Sequence, residues 1–382
     1  MKLINIFFVE DDESQIEIFA DSITTFNLQN KSKYLVKGLI CKTKDEALAC
    51  LDANKEIISG AIVDLKLESG VVVFEGNVIL EKILTFLRFP IYVVTSNPSE
   101  IDPSLKLPVI NPLFKIYPRT EIEYIEILRD IIKIQKTGII DLFGSNGKLD
   151  VHIRNIYWNY LSQIIQYWID IDLEPELKEK AMLRYISNLL HSYLSFNPDL
   201  REYEYFIPGE VYIPCMHDVY QTGDILSKDG LDYILLTPSC DLANSKAKNV
   251  TVAEIIHSDK GILKELISTI NEEPSKFTDG KLLEELAIKK QDAKETIERI
   301  MRNTHSGKYY FLPPYNGFKA GIINFQNTNC IPFSSLNYYV KVFSISHSFI
   351  KDIVEKFSSY FSRQGSPDFN IPILYDDFIS KG

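Results

Sequence analysis

The feature that most constrains the fold of this chain is a series of five short apolar runs in its opening third, each separated from the next by a helical pattern. The runs are Leu3–Val9, Tyr34–Ile40, Ala61–Leu65, Ile91–Thr95 and Val109–Ile116. Runs that stay apolar on successive residues suit strands covered on both faces, the condition of a parallel sheet with helices on each side. Between them, Ile16, Phe19, Ala20 and Ile23 share one face of a first helix, and Tyr124, Ile125, Leu128, Ile131 and Ile132 share one face of a last. Thr43-Lys44-Asp45-Glu46 is a capping box opening a second helix. The expected fold class is α/β, a doubly wound sheet of five parallel strands, because right-handed crossovers are the strong rule for such alternation.

In sheets of this kind the ligand site lies at the carboxyl edge of the strands. Glu10, Asp11 and Asp12 follow the first run, Asp64 the third, Thr95 and Ser96 the fourth, and Lys115 lies near the end of the fifth. Two or three carboxylates hold Mg²⁺, which prefers oxygen ligands and keeps exchangeable waters. One carboxylate can act as a nucleophile toward a phosphoryl group, while a lysine and a hydroxyl stabilise the transferred oxygens. Carboxylates crowded without a cation raise one another's pKa, so a metal belongs to the reading.

Over about residues 1 to 136 these motifs resemble the flavodoxin-like receiver domains of bacterial response regulators. The resemblance implies that Asp64, in Ala61-Ile62-Val63-Asp64-Leu65, accepts the phosphoryl group. Asp11 would be a direct Mg²⁺ ligand with Glu10 as its partner, Asp12 a less direct contributor, and the backbone carbonyl of Lys66 would complete the shell. Thr95 would be the switch hydroxyl and Lys115 the conserved cation. Three departures accompany it. Ile116 and Tyr117 stand between Lys115 and Pro118, where the family places proline directly after the lysine. Pro112 replaces the usual aromatic switch residue, and Glu68 to Glu75 lengthens the loop after Asp64.

A net charge of -11 argues against a nucleic-acid binder that depends on a broad basic surface. No apolar run approaches the roughly 20 residues that span a bilayer, and Leu3–Val9 runs into acids rather than a cleavage site. The expected location is the cytoplasm. Five cysteines with no CxxC pair read as free thiols.

Gly144-Ser145-Asn146-Gly147 reads as a linker. The expected organisation is a receiver over 1–136, a helical linker over 137–200, and a β-rich α+β domain of unassigned role over 201–382. The linker's two or three helices, broken near Asp172-Leu173-Glu174-Pro175, suit docking of the flanking parts or a homodimer. His152 and His191 lie on it, and a phosphotransfer histidine is the sharper but less favoured reading of either. Beyond it come β-like runs at Phe206–Ile213, Asp232–Thr237, Val250–Ile256, Tyr309–Leu312, Gly321–Phe325 and Tyr338–Ile345. A charged helix from Pro274 to Arg302 interrupts them, and an aromatic helix closes on Gly365.

The most distinctive later string is Thr237-Pro238-Ser239-Cys240-Asp241. Cys215, His217, Cys240 and Asp241 offer thiolate, imidazole and carboxylate ligands of the kind zinc takes. Cys240 with His217 or His257 as base would be a thiol nucleophile, and a structural turn is the plainer reading. The leading expectation is therefore a non-catalytic signalling protein. A sensor histidine kinase phosphorylates Asp64, and the carboxyl-terminal part then engages a companion effector. The architecture also resembles the accessory receiver proteins of Detocs-type anti-phage two-component systems, which implies a buffer of phosphate flow. The rival expectation is a receiver-gated effector enzyme with its metal or thiol site at Cys240 and Asp241.

Overall fold

The computed structural model describes residues 1–30, 33–67, 74–107, 111–196, 205–216, 218–243, 246–274, 280–363 and 369–381. By internal contacts the chain divides into two units, Met1–Arg201 and Glu202–Gly382.

The first unit opens with β1 (Lys2–Val9), α1 (Glu13–Gln29), β2 (Tyr34–Cys41), α2 (Lys44–Asn54), β3 (Ile58–Val63), α3 (Glu75–Phe86), β4 (Ile91–Thr95), β5 (Phe114–Pro118) and α4 (Tyr124–Lys136). The strands form one parallel sheet in the order β2-β1-β3-β4-β5. Alternation along the strands divides the core. Phe7, Val9 and Val63 face Leu51 of α2 and Ile79 and Ile83 of α3. Ile6, Phe8 and Ile62 face Phe19 of α1 and Leu128 and Ile131 of α4. Each fully buried Ile or Phe stabilises the fold by roughly 1.5–3 kcal/mol, so a one-residue register slip would exchange both faces at once. The expected cap at Thr43 forms, accepting from Glu46 N at 3.3 Å, and Asp12 caps α1 by accepting from Ser14 N at 2.8 Å.

The fifth strand lies further along the chain than the apolar run from Val109 suggests, at Phe114–Pro118. Residues 109 and 110 of that run fall outside the described residues. Proline can end this strand because β5 is at the sheet edge. Most of the lengthened loop after Asp64, residues 68–73, also lies outside the described residues.

The first unit continues with α5 (Ile139–Phe143), α6 (Lys148–Ile156), a π-helical turn (Tyr157–Leu161), α7 (Ser162–Asp170) and α8 (Pro175–Ser195). Proline at the first position of α8 suits a helix start, where its missing N–H is not needed.

The second unit contains β6 (Tyr212–Pro214), β7 (Asp224–Lys228), β8 (Leu231–Leu235), α9 (Ser239–Ala243), β9 (Asn249–His257), α10 (Gly261–Ile270), α11 (Gly280–Met301), β10 (Tyr309–Leu312), β11 (Gly321–Pro332), β12 (Val340–Ile345), α12 (His347–Ser362) and α13 (Ile371–Lys381). Its strands form an antiparallel sheet in the order β10-β11-β9-β8-β7-β12-β6, and a register shift between Ile323 and Thr328 bends β11. One face packs Ile234, Ile255 and Phe325 against Ile353 of α12. The other buries Leu226, Leu235, Val252 and Leu336. The charged helix α11 hides a narrow stripe, Leu286, Ala293 and Ile300, and solvates the rest.

Candidate phosphoryl-acceptor site

The carboxyl edge of the parallel sheet gathers residues from four strands. Glu10 and Asp11 leave β1, Asp64 leaves β3, Thr95 ends β4, and Arg119 follows β5. Parallel register aligns these ends: Val9 lies opposite Val63, and Thr95 opposite Pro118. Asp64 N donates to Val9 O at 3.0 Å, and Arg119 N donates to Thr95 O at 2.9 Å, so backbone bonds fix both side chains at the edge.

Glu10, Asp64 and Thr95 are buried, whereas Asp11 is half-buried. Glu10, Asp11 and Asp64 can each present an oxygen within 4.8 Å of the others, and they are the one such group of metal-capable side chains among the described residues. Burial pushes the Glu10 carboxyl up to about 7, and the neighbouring Asp64 charge adds to the rise while Arg119 opposes it. Burial also raises Asp64. Hydrogen bonds from the Thr95 hydroxyl and from the Leu65 and Lys66 N–H groups, together with the Arg119 charge, pull it back.

These shifts describe an anionic cluster that one guanidinium does not fully neutralise. Its all-oxygen donor set fits Mg²⁺.

Arg119 Nη2 donates to Glu10 Oε2 at 2.7 Å and to Asp64 Oδ2 at 2.9 Å, and its Nη1 lies 3.8 Å from Asp12 Oδ2. Its Nε is buried without a hydrogen-bond partner. That leaves a donor at the cluster for an incoming oxygen.

Lys115 is not brought to this cluster. It pairs in register with Tyr92, three residues short of Thr95, or about 10 Å along a strand. Its ammonium bonds Asp130 of α4 at 2.7 Å and lies 5.7 Å from the Tyr92 ring centroid. Reading the strand as ending near residue 116 hid Arg119; the signal was a cation directly after Tyr117-Pro118.

Gly76 also escaped the sequence reading. It opens α3 by donating its N–H to Leu65 O at 3.0 Å. A Cβ there would lie 2.6 Å from Leu65 Cα and collide with the Asp64 carbonyl. Only glycine lets α3 seat against the loop that carries Asp64.

Among the described residues, the carboxyl-terminal candidates do not assemble into a metal-capable group. Cys215 follows β6, and Cys240 begins beyond β8, with β12 and β7 lying between those strands. Two intervening strands put β6 and β8 roughly 14 Å apart at the usual strand spacing. His217 lies outside the described residues. Asp241 approaches Cys240 Sγ only at 3.9 Å.

His257 lies at the far end of β9 from the Thr237–Thr251 contact. Its Nε2 is 2.7 Å from Asp232 Oδ2 and its Nδ1 is 3.2 Å from Lys319 O. Both partners can accept, which favours the protonated ring and raises its pKa, and both ring nitrogens are engaged away from Cys240.

The hydroxyls of the Thr237-Pro238-Ser239 string are structural. Thr237 Oγ1 accepts from Thr251 N at 2.7 Å, Thr237 O accepts from Thr222 Oγ1 at 2.7 Å, and Ser239 Oγ accepts from Thr222 N at 3.0 Å. The string clasps the end of β8 to β9 and to the turn before β7. His152 is half-buried beside the Tyr193 ring, and His191 is exposed on α8.

No family model matches the chain, and no curated protein matches it. Among solved structures it is similar to a CheY-like receiver domain from Methanospirillum hungatei, at 22% identity over 36% of this chain and 96% of the other, with a TM-score of 0.27. A receiver domain from Clostridium thermocellum is 14% identical over 36% of this chain and 98% of its own, with a TM-score of 0.28. The Mn²⁺-bound response regulator Rcp1 is 19% identical over 37% and 93%, with a TM-score of 0.24. By strand order and parallel register, the amino-terminal part of the chain has the flavodoxin-like fold of response-regulator receivers.

Proposed function

We propose that the amino-terminal unit is a phosphorylation switch in which Asp64 accepts a phosphoryl group. The observation that carries this reading is the convergence of three carboxylates, a hydroxyl and a guanidinium on one sheet edge. Glu10, Asp11 and Asp64 are the side chains that would hold Mg²⁺, with the Lys66 carbonyl added by resemblance to receivers. Bound there, the cation supplies positive charge for the phosphoryl oxygens.

An Asp64 carboxylate oxygen forms the new bond to phosphorus while the bond from phosphorus to the donor nitrogen breaks. The electron pair stays on the donor, which takes up a proton. Arg119 would turn its buried Nε and a released Nη toward the phosphoryl oxygens, taking the role that the sequence reading gave to Lys115. Thr95, already bonded to Asp64, would donate to another oxygen.

By its resemblance to receivers, the chain takes its phosphoryl group from a sensor histidine kinase in the cytoplasm. It would then regulate a companion effector or buffer phosphate flow, in an anti-phage pathway if the Detocs resemblance extends to function. Intact-mass spectrometry after exposure to Mg²⁺ and a small acyl phosphate tests the acceptor. One acid-stable, base-labile phosphoryl adduct, lost in Asp64→Asn, is the expected result. An adduct that persists in that variant refutes the assignment.

A further inference from the structure

The second unit holds a cleft of about 380 Å³ at one end of its antiparallel sheet. That volume falls within the range of small-molecule sites, roughly 300–1,000 Å³. A row of polar groups crosses three adjacent strands to reach it. Ser227 of β7 lies opposite Asp232 of β8, and its hydroxyl bonds the Asp232 carboxylate. Asp232 Oδ2 lies 2.7 Å from Nε2 of His257, the last residue of β9. The two side chains are only 18% and 14% exposed. Burial at this level is costly for charged groups unless they are paired. The hydrogen bond from His257 does most to hold the Asp232 carboxyl below its usual range, against burial, and the Ser227 hydroxyl and the His257 and Lys260 charges add to it.

Two loops complete the cleft. Asn316 and Gly317 take positive φ, 43° and 84°, in a two-residue turn whose ends, Tyr315 and Phe318, exchange backbone hydrogen bonds of 3.0 and 2.8 Å. The turn sets the Phe318 ring 5.1 Å from the imidazole and edge-on to Phe343 at 6.3 Å. Lys319 follows the turn and pairs with Asp259 of the second loop. Lys260, next in that loop, has no ion-pair partner among the described residues.

Charge decides the class of ligand. With His257 protonated, the cleft carries three cations, His257, Lys260 and Lys319, against two anions, Asp232 and Asp259. Each anion already has its partner, so the Lys260 charge is left over in a chain whose net charge is -11. Ammonium groups bind phosphate oxygens through charge-assisted hydrogen bonds. Beside them, the Phe318 and Phe343 rings offer an aromatic wall for a planar base.

We propose that this cleft binds a nucleoside monophosphate, with its phosphate at Lys260 and Lys319 and its base against Phe318 and Phe343. The site lies wholly within the second unit, so the inference is independent of phosphoryl acceptance at Asp64. Isothermal titration calorimetry of the full chain in EDTA tests it, with AMP, adenosine and inorganic phosphate as probes. AMP should bind saturably at sub-millimolar concentration, and adenosine and phosphate each at least tenfold more weakly.

Lys260→Glu, a change at an exposed side chain, should weaken AMP binding at least tenfold while leaving the circular dichroism of the chain unchanged. Lys260→Arg, which keeps the charge, should hold AMP binding within threefold of wild type. Absence of saturable AMP binding would overturn the proposal. Adenosine or phosphate binding as tightly as AMP would also overturn it, by removing the charge or the ring from recognition. AMP binding that Lys260→Glu does not weaken would do the same, by placing the ligand elsewhere.

Discussion

Replacing Arg119 with alanine removes the one cation that bridges Glu10 and Asp64. Two buried carboxylates then face each other with the Thr95 hydroxyl and backbone N–H groups as their remaining donors. Breaking a fully buried pair costs about 3–5 kcal/mol; because the Arg119 side chain is 22% exposed, a loss of about 2–3 kcal/mol is expected. For a unit of this size that corresponds to a fall in Tm on the order of 5–10 °C.

Mg²⁺ should restore much of the loss, since the same carboxylates would bind it without competition from the guanidinium. At a hundredfold excess over Kd, binding returns about 2.7 kcal/mol. The assay is thermal unfolding followed by tryptophan fluorescence in EDTA and across a Mg²⁺ titration. Trp158 and Trp168, the two tryptophans of the chain, both belong to the first unit and so report on it. Equal Tm values for wild type and Arg119→Ala in EDTA, or a gap that Mg²⁺ does not narrow, would refute the argument.

Gly76→Ala should push α3 off the Asp64 loop and lower phosphoryl acceptance at least tenfold, which single-turnover labelling from an acyl phosphate would measure. Lys115→Met should leave labelling within twofold of wild type and cost less than about 1 kcal/mol, because the Lys115–Asp130 pair is partly exposed; a labelling loss as large as that of Arg119→Ala would return the role to the lysine. In the second unit, the hydrogen bond to Asp232 raises the His257 pKa above 6.5 and depresses that of Asp232. The pair's stabilisation should therefore be full below about pH 6.5 while Asp232 stays ionised, and fall as pH rises through the higher folded value. Calorimetry should show a loss of a few degrees in Tm across that window in wild type and none in His257→Gln.

Much of the parallel sheet was legible because its strands are buried on both faces. Ile91–Thr95 was read to the residue, and the starts or ends of β1 and β2 to within one. The error fell at the edge strand. There burial is only partial beyond Phe114, the apolar signal of Val109–Ile116 is weak, and the strand runs on to Pro118, which an edge position tolerates. That shift concealed Arg119, so the sequence named the acids and the hydroxyl that meet at the sheet edge but not the guanidinium that joins them there.

In the antiparallel sheet, β7 was missed, although Asp229-Gly230 is a strong hairpin signal. Both residues take positive φ, 52° and 75°, in the two-residue turn that joins β7 to β8. Cys240 drew attention by its chemistry, yet of the described candidate partners Cys215 follows a strand two removed from β8 and His257 is engaged by Asp232 and Lys319 O. Sequence spacing carries no information about such separations.

The most direct test of the central claim is ¹⁹F NMR of the full chain with beryllofluoride, a phosphoryl mimic, with and without Mg²⁺. The account predicts bound-fluoride resonances that require Mg²⁺, vanish in Asp64→Asn and weaken in Arg119→Ala. Bound signals that persist in Asp64→Asn, or a wild-type chain that gives none with Mg²⁺ present, would contradict it.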